Sequence, residues 1–213
     1  MHRDIPKPTL SRLCLMYLKL DEMLQDDLQT VSSSQLADAL SINPHNVRKD
    51  IAYLDGVAHL GGGYDIAALK AAIAGQFGFD KPRKACVVGL GQMGTVILNY
   101  DQFQPHGISI VAGFDSNINK IETMRTSIPL FPSYMISETV QRLAIEFAVL
   151  TVPEPAVDKV ANHLVDGGIK GIINYTSAIV KPNQDDVHVI HLSLLKNIRY
   201  LTALMTVNQH KNL

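Results

Sequence analysis

The stretch Val87-Val88-Gly89-Leu90-Gly91-Gln92-Met93-Gly94 constrains this chain more than any other. A short apolar run, Ala85 to Val88, predicts a buried strand. Thr95 to Tyr100 continues as the apolar side of a helix, and between them three glycines fall at the spacing G-x-G-x-x-G. Each has a physical job. Gly89 lets the chain turn sharply, Gly91 lets the backbone approach a pyrophosphate, and Gly94 lets the helix pack tightly on its strand. Gln92 and Met93 open that helix, whose free N–H groups and positive dipole end face the phosphates. A second strand, Ser109 to Phe114, ends at Asp115, about 20 residues on, as the dinucleotide fingerprint requires. A carboxylate there accepts both ribose hydroxyls of an adenosine and repels a 2′-phosphate. The alternative is a plain strand-to-helix turn over an empty crevice.

Composition narrows the classes. In 213 residues, 46% are apolar and the net charge is -1, enough for a sizeable core and neither polybasic nor acid-tailed. No apolar run approaches the roughly 20 residues of a membrane span, and the start lacks the apolar core of a signal peptide. Cys14 and Cys86 have no C-x-x-C partner, so no metal site, no disulfide and a cytoplasmic location are expected.

The first third reads as helices. Leu10, Leu13, Tyr17, Leu20 and Leu24 recur at three- and four-residue steps, and Arg12 falls on another side of that helix. Ser32 and Gln35 have capping-box spacing and should start a short helix through Leu36, Ala37 and Leu40. Asn43 caps and Pro44 opens a third helix. This is the plan of a helix-turn-helix. In the third helix Pro44, Val47, Ile51 and Leu54 face inward, while Asn46, Lys49 and Tyr53 point outward, flanked by His45, Arg48 and Ala52. That face suits base edges and phosphates in a major groove. Gly61, Gly62, Gly63 and Tyr64 supply a tight β-turn beyond it, read as a hairpin wing. Residues 1–64 carry six basic against eight acidic side chains, which argues for a packing module instead unless the acids lie on the far face.

Ile66 to Phe77 reads as a linking helix, and Gly78 to Pro82 as a domain boundary. Beyond it, strands are expected at Ala85–Val88, Ile108–Phe114, Phe147–Val152, Gly171–Asn174 and Val187–Ile190. Helices are expected near Met93–Tyr100, Ile136–Leu143 and Glu154–Val165. Near-continuous apolar strands fit a parallel doubly wound sheet, whose ligands sit beyond the carboxyl ends of the strands. Thr151-Val152-Pro153 and Asn174-Tyr175-Thr176 lie at such ends. They either line a nicotinamide half of the crevice or are ordinary loops. The tail from Leu192 to Val207 is an apolar helix that packs on its own domain or crosses into a partner subunit.

Taken in order, Ile5-Pro6, Thr9, Arg12-Leu13, Ser32-Ser33, Val47-Arg48-Lys49-Asp50 and Gly63-Tyr64-Asp65 resemble the start of the Rex family of bacterial redox-sensing repressors. Gly89-x-Gly91-x-x-Gly94, Phe114-Asp115, Thr151-Val152-Pro153 and Gly168 to Ile172 leading to Asn174 continue the resemblance. It implies an α/β chain: an N-terminal winged helix-turn-helix domain (1–80), a Rossmann-type doubly wound parallel sheet domain (81–191), and a swapped C-terminal dimerisation helix (192–213). It implies a homodimer that binds double-stranded operator DNA when NADH is scarce and releases it when NADH binds, NAD+ competing more weakly. Carried over by position, Lys49 and Arg48 contact DNA and Arg12 takes part in the DNA-competent form; Ser33, His45, Asn46, Tyr53, Gly62, Gly63 and Tyr64 are further candidates for DNA contact. Gly89, Gly91, Gln92, Met93 and Gly94 hold the pyrophosphate, and Asp115 takes the ribose. Tyr100 lies near the nicotinamide and takes part in the switch, and Thr151, Val152, Pro153, Asn174, Tyr175 and Thr176 stay candidates to line that half of the crevice. The chain departs from the family pattern at three places. Ser193 stands where an aspartate is usual, Leu60 where the wing has an arginine, and Asn174-Tyr175-Thr176-Ser177 where Asn-Phe-Ala-Pro is usual.

Two other functions compete. An NAD-dependent oxidoreductase needs a proton donor at the nicotinamide, and the sequence holds no Tyr-x-x-x-Lys pair; His163, His188 and His191 read as surface or packing residues, so no enzyme is expected. A sensor of another nucleotide, such as coenzyme A, conflicts with a diol-reading Asp115.

Overall fold

The computed structural model describes residues 4–57, 62–184 and 186–209, and the chain divides into two compact units, Met1–Lys81 and Pro82–Leu213. Leu60 and Gly61 of the expected wing lie outside the described residues.

The described residues of the first unit form four helices and a two-stranded sheet: α1 (Lys7–Gln25), β1 (Thr30–Val31), α2 (Ser33–Leu40), α3 (Pro44–Ile51), β2 (Tyr64–Asp65) and α4 (Ile66–Phe77). Local chemistry sets the boundaries. The Ser32 hydroxyl accepts from the Gln35 N–H while the Gln35 side chain accepts from the Ser32 N–H, a complete capping box. Asn43 accepts from the His45 N–H with Pro44 at the first helical position. Ser41 takes a left-handed conformation between the two helices.

Three expectations change here. The buried stripe of α1 is Thr9, Leu13, Met16, Leu20 and Met23, and Leu10 is exposed. Helix α4 is no linker: Ile66, Leu69 and Ile73 are buried in one core with Leu13, Leu36 and Val47. Strand β2 pairs antiparallel with β1, from the segment before α2. A Cβ at Gly63 would stand 2.9 Å from the Val31 carbonyl, so the close approach of the two strands needs a glycine there.

The second unit is a parallel sheet with strand order β5-β4-β3-β6-β7-β8. Its elements are β3 (Arg83–Val88), α5 (Gln92–Leu98), β4 (Ile108–Asp115), α6 (Ile118–Thr123), β5 (Leu130–Pro132), α7 (Ile136–Leu143), β6 (Phe147–Leu150), α8 (Val157–Asp166), β7 (Gly171–Asn174), β8 (His188–His191) and α9 (Leu194–Gln209). Successive β3 side chains enter opposite cores. Cys86 and Val88 pack with Ile136, Val140 and Val160 of α7 and α8, whereas Val87 packs with Leu90, Ile97 and Leu98 around α5. The chain winds from β3 outward through β4 to β5, then returns to place β6 on the other side of β3. Two parallel strands therefore leave in opposite directions at β3 and β6, where such sheets open a crevice. Helix α9 exposes Leu194, Leu195, Ile198, Leu201 and Met205. No helix among the described residues is long and apolar enough to cross a membrane.

Candidate functional site

The crevice is built at the carboxyl ends of β3, β4 and β6. Gly89 has φ +93, and a Cβ on it would meet the Thr151 carbonyl at 2.8 Å, so the turn after β3 admits no side chain. Gly91 caps α5 with nothing within 4 Å of a Cβ position. The space above it is open to a ligand. At Gly94 a Cβ would stand 1.8 Å from the Gly89 carbonyl oxygen, so helix and turn are in contact. The Thr151 hydroxyl lies 2.6 Å from that same oxygen and ties the β6 end to the glycine turn. Gln92 and Met93 are exposed on the first turn of α5, and Val152 and Pro153 line the crevice beside Gly89.

Asp115 is only 8% exposed. Its Oδ2 accepts from the Leu90 N–H at 2.8 Å and from Lys120 Nζ at 3.1 Å, and its Oδ1 accepts from the Asn117 N–H at 2.8 Å. Burial raises its pKa, but the Asn117 and Leu90 donors and the Lys120 ammonium outweigh that and hold it below the ordinary carboxylate value. A carboxylate has about four acceptor positions. Three are taken, so a single acceptor position is free, and a diol that needs two would have to displace Lys120. The same ammonium offsets the repulsion of a 2′-phosphate.

A cavity of about 250 Å³ beside Asp115 is lined by Gly89, Ser133, Tyr134, Val152, Lys159 and His163, among others. Sequence reasoning missed Tyr134, Lys159 and His163 as lining groups. Lys159 and His163 stand four apart on α8, so one face of that helix presents both; that spacing was the available signal.

Two residues lie elsewhere. Tyr100, half-exposed and edge-on to Phe103 at 5.1 Å, lines a different cavity of about 280 Å³ with Leu98, Ser109 and Ile128. It sits past the far end of α5, about 10 Å of helix from the glycine turn. Asn174 is fully buried, and each of its hydrogen-bonding positions is filled. Its Oδ1 accepts from the Thr176 N–H and hydroxyl at 2.9 and 2.7 Å; its Nδ2 donates to the Ala178 carbonyl at 2.8 Å and meets His191 Nδ1 at 3.0 Å. Asn174 therefore shapes the loop, in which Tyr175 is exposed and Thr176 half-buried.

In the first unit, α3 presents His45, Asn46, Arg48 and Lys49 to solvent while Val47, Asp50 and Ile51 are buried. Tyr53 follows the helix, half-buried, its carbonyl accepting from Gln76. Arg48 Nη1 donates to the Ser33 hydroxyl at 3.0 Å, joining the α2 start to the exposed face of α3. Arg12 makes a two-pronged ion pair with Asp50 at 2.6 and 2.7 Å and a further bond to Thr9. The hydrogen bond to Asp50 holds the guanidinium above its ordinary pKa. It anchors α3 on α1 rather than standing free for a phosphate. Gly62, with φ +122, is exposed. Tyr64 is a correction: its ring is 3% exposed and belongs to the core, because β2 alternation turns it inward. Among the described residues, no cluster of three or more His, Cys, Asp or Glu side chains is arranged to hold a metal.

Comparison with known proteins agrees with this architecture. A family model described as "CoA binding domain" matches residues 80–178, and one described as "Putative DNA-binding protein N-terminus" matches residues 4–52. The redox-sensing transcriptional repressor Rex of Maridesulfovibrio salexigens is 34% identical over 83% of this chain and 84% of its own. The Rex of a Geobacillus species is 32% identical over 98% of this chain and 96% of its own. Among solved structures, RSP in complex with beta-NAD+ and operator DNA covers 99% of this chain and 96% of its own, with a TM-score of 0.89 at 22% identity. RSP with beta-NADH gives 0.85, also at 22% identity. Those two likenesses speak for the fold, and the sequence identities speak for descent. This chain belongs to the Rex family of redox-sensing transcriptional repressors.

Proposed function

We propose that this chain is a homodimeric repressor that binds double-stranded operator DNA and releases it when NADH occupies the crevice, NAD+ competing more weakly. The observation that carries the nucleotide half is the open space over Gly91 at the start of α5, beside the Asp115 carboxylate. The exposed Asn46, Arg48 and Lys49 on α3 support the DNA half. Relatives matching over most of the chain bear the name of repressors, so the reading assigns no turnover. It places DNA binding in 1–80, nucleotide binding in 81–191 and dimerisation in 192–213, in a cytoplasmic protein. Exposed apolar residues on α9, with Met93 and Val96 on α5 and Tyr100 just beyond it, support a self-associating surface.

The mechanism is linkage. If NADH binds the DNA-incompetent dimer more tightly, DNA must weaken NADH binding by the same factor, a coupling of about 1–3 kcal/mol. The test is a gel shift on a candidate operator with NADH or NAD+ present. Release by NADH at concentrations where NAD+ leaves the complex intact is expected, and equal retention in both overturns the sensing role. Lys49→Ala should weaken DNA binding and lower the salt slope by about one, leaving NADH affinity unchanged. The coenzyme A description of the matching family model favours a second ligand class, so calorimetry with NADH and coenzyme A belongs beside the gel shift.

A further inference from the structure

The root of α9 is tied to the crevice loop through one imidazole. Asn174 closes β7 and pairs in register with His191, the last residue of β8. Three residues later α9 begins. The amide orientation of Asn174 is forced by its neighbours. The Thr176 N–H can only donate, so the atom facing it at 2.9 Å is Oδ1. The Ala178 carbonyl can only accept, so the atom facing it at 2.8 Å is Nδ2. The second hydrogen of Nδ2 then points at His191 Nδ1, 3.0 Å away. That nitrogen must accept, which makes His191 the neutral tautomer with its proton on Nε2. A proton added at Nδ1 would set N–H against N–H and break the contact.

Resting on the nucleotide reading above, we infer that His191 is a positioning residue: its neutral imidazole fixes the Asn174–Ala178 loop, which leaves β7 beside the carboxyl end of β6, and makes nucleotide binding dependent on pH. Asn174 is buried with its other three hydrogen-bonding positions filled, so it has no alternative partner for the released N–H. His191 is exposed, so a proton reaches it freely. An imidazole is the side chain that changes charge between about pH 5 and 8. Strand β7 has no titratable side chain; the described part of the loop beyond it contributes Tyr175, Lys181 and Asp186, and the Ser177 hydroxyl of that loop donates to Glu154. On β8 itself His188 sits at the opposite end, near Asp186, which pairs with Lys170. Lys196 stands on the first turn of α9, its N–H bonded to the Ser193 hydroxyl. Among the described residues, none of these groups makes an ion pair or hydrogen bond with His191. With Nδ1 unprotonated the imidazole holds the loop; a proton at Nδ1 breaks the contact, and affinity falls on acidification.

The test compares NADH titrations of the full chain at about pH 8 and about pH 5.5 with those of two variants. His191→Asn puts an acceptor oxygen near the place of Nδ1 without a titrating group, and His191→Leu removes the acceptor. The wild-type affinity should fall about fivefold more than that of His191→Asn across this range, the worth of one hydrogen bond. His191→Leu should bind weakly at both values, with an unfolding midpoint that shows it folded. Parallel pH profiles for wild type and His191→Asn overturn the inference. Nitrogen-15 spectra of the histidine rings test it without nucleotide: His191 must carry its proton on Nε2 at pH 8, and a proton on Nδ1 overturns the assignment. Wild type that binds no NADH at either pH would instead overturn the proposed function, leaving the ring spectra to decide the role of His191.

Discussion

Gly91 and Gly94 stand three residues apart, and the structure gives their alanine variants opposite consequences. A Cβ on Gly94 would lie 1.8 Å from the Gly89 carbonyl oxygen and 2.7 Å from the Thr151 hydroxyl. An ordinary contact needs well over 3 Å, so the start of α5 must retreat by more than 1 Å. Overpacking of this kind costs about 1–3 kcal/mol, or roughly 2–12 °C in the melting midpoint for a chain of this size. Gly91 has φ -68 and open space where a Cβ would go. Gly91→Ala should therefore leave stability within about 0.5 kcal/mol, yet place a methyl group where the pyrophosphate is proposed to run. NADH affinity should fall at least tenfold, about 1.4 kcal/mol. Thermal melts by circular dichroism and NADH fluorescence titrations read the two quantities separately. Wild-type NADH affinity in Gly91→Ala would refute the path of the pyrophosphate. A wild-type melt in Gly94→Ala would refute the packing argument.

Other perturbations separate structural from functional roles. Arg12→Ala leaves the Asp50 carboxylate, 1% exposed, without its ion-pair partner; urea melts should show a loss of about 3 kcal/mol, and the apolar pair Arg12→Met with Asp50→Leu should lose less. The folded-state pKa of Asp115 is depressed, so its contribution to stability is present above the ordinary carboxylate value and is lost as pH falls through the folded one. Wild type should lose stability on acidification below about pH 4, and Asp115→Asn should lose less across that window. Burial pushes both the Cys86 and Cys14 thiols up. A thiol reagent should label neither quickly in the native protein, and mild peroxide should leave DNA binding unchanged, because a protonated thiol is a poor nucleophile. Rapid labelling with loss of DNA binding would place redox sensing on a cysteine instead.

Much of this protein is written locally. The Ser32–Gln35 capping box, the Asn43-Pro44 start, the glycine turn and the strand Gly171–Asn174 each depend on residues within a few positions of one another, so spacing alone predicts them. The same holds for Ile136–Leu143, whose apolar period matches one helix face. What required the folded chain involves partners distant in sequence. Arg12 meets Asp50 across 38 residues, and no local rule buries an aspartate in a helix flanked by Arg48 and Lys49. Helix α4 reads as a linker until its apolar side finds α1. Leu130–Pro132 is too short and too little buried to show a period, and only pairing with β4 makes it a strand. Asn174 looks like a ligand contact at a strand end, but Thr176, Ala178 and His191 use up its amide. Sequence determined where the chain turns, caps and buries its faces, because those free energies are short-range. Tertiary structure decided which polar groups remain unspent for a ligand, because a hydrogen-bonding position filled from across the fold is lost to anything arriving from solvent.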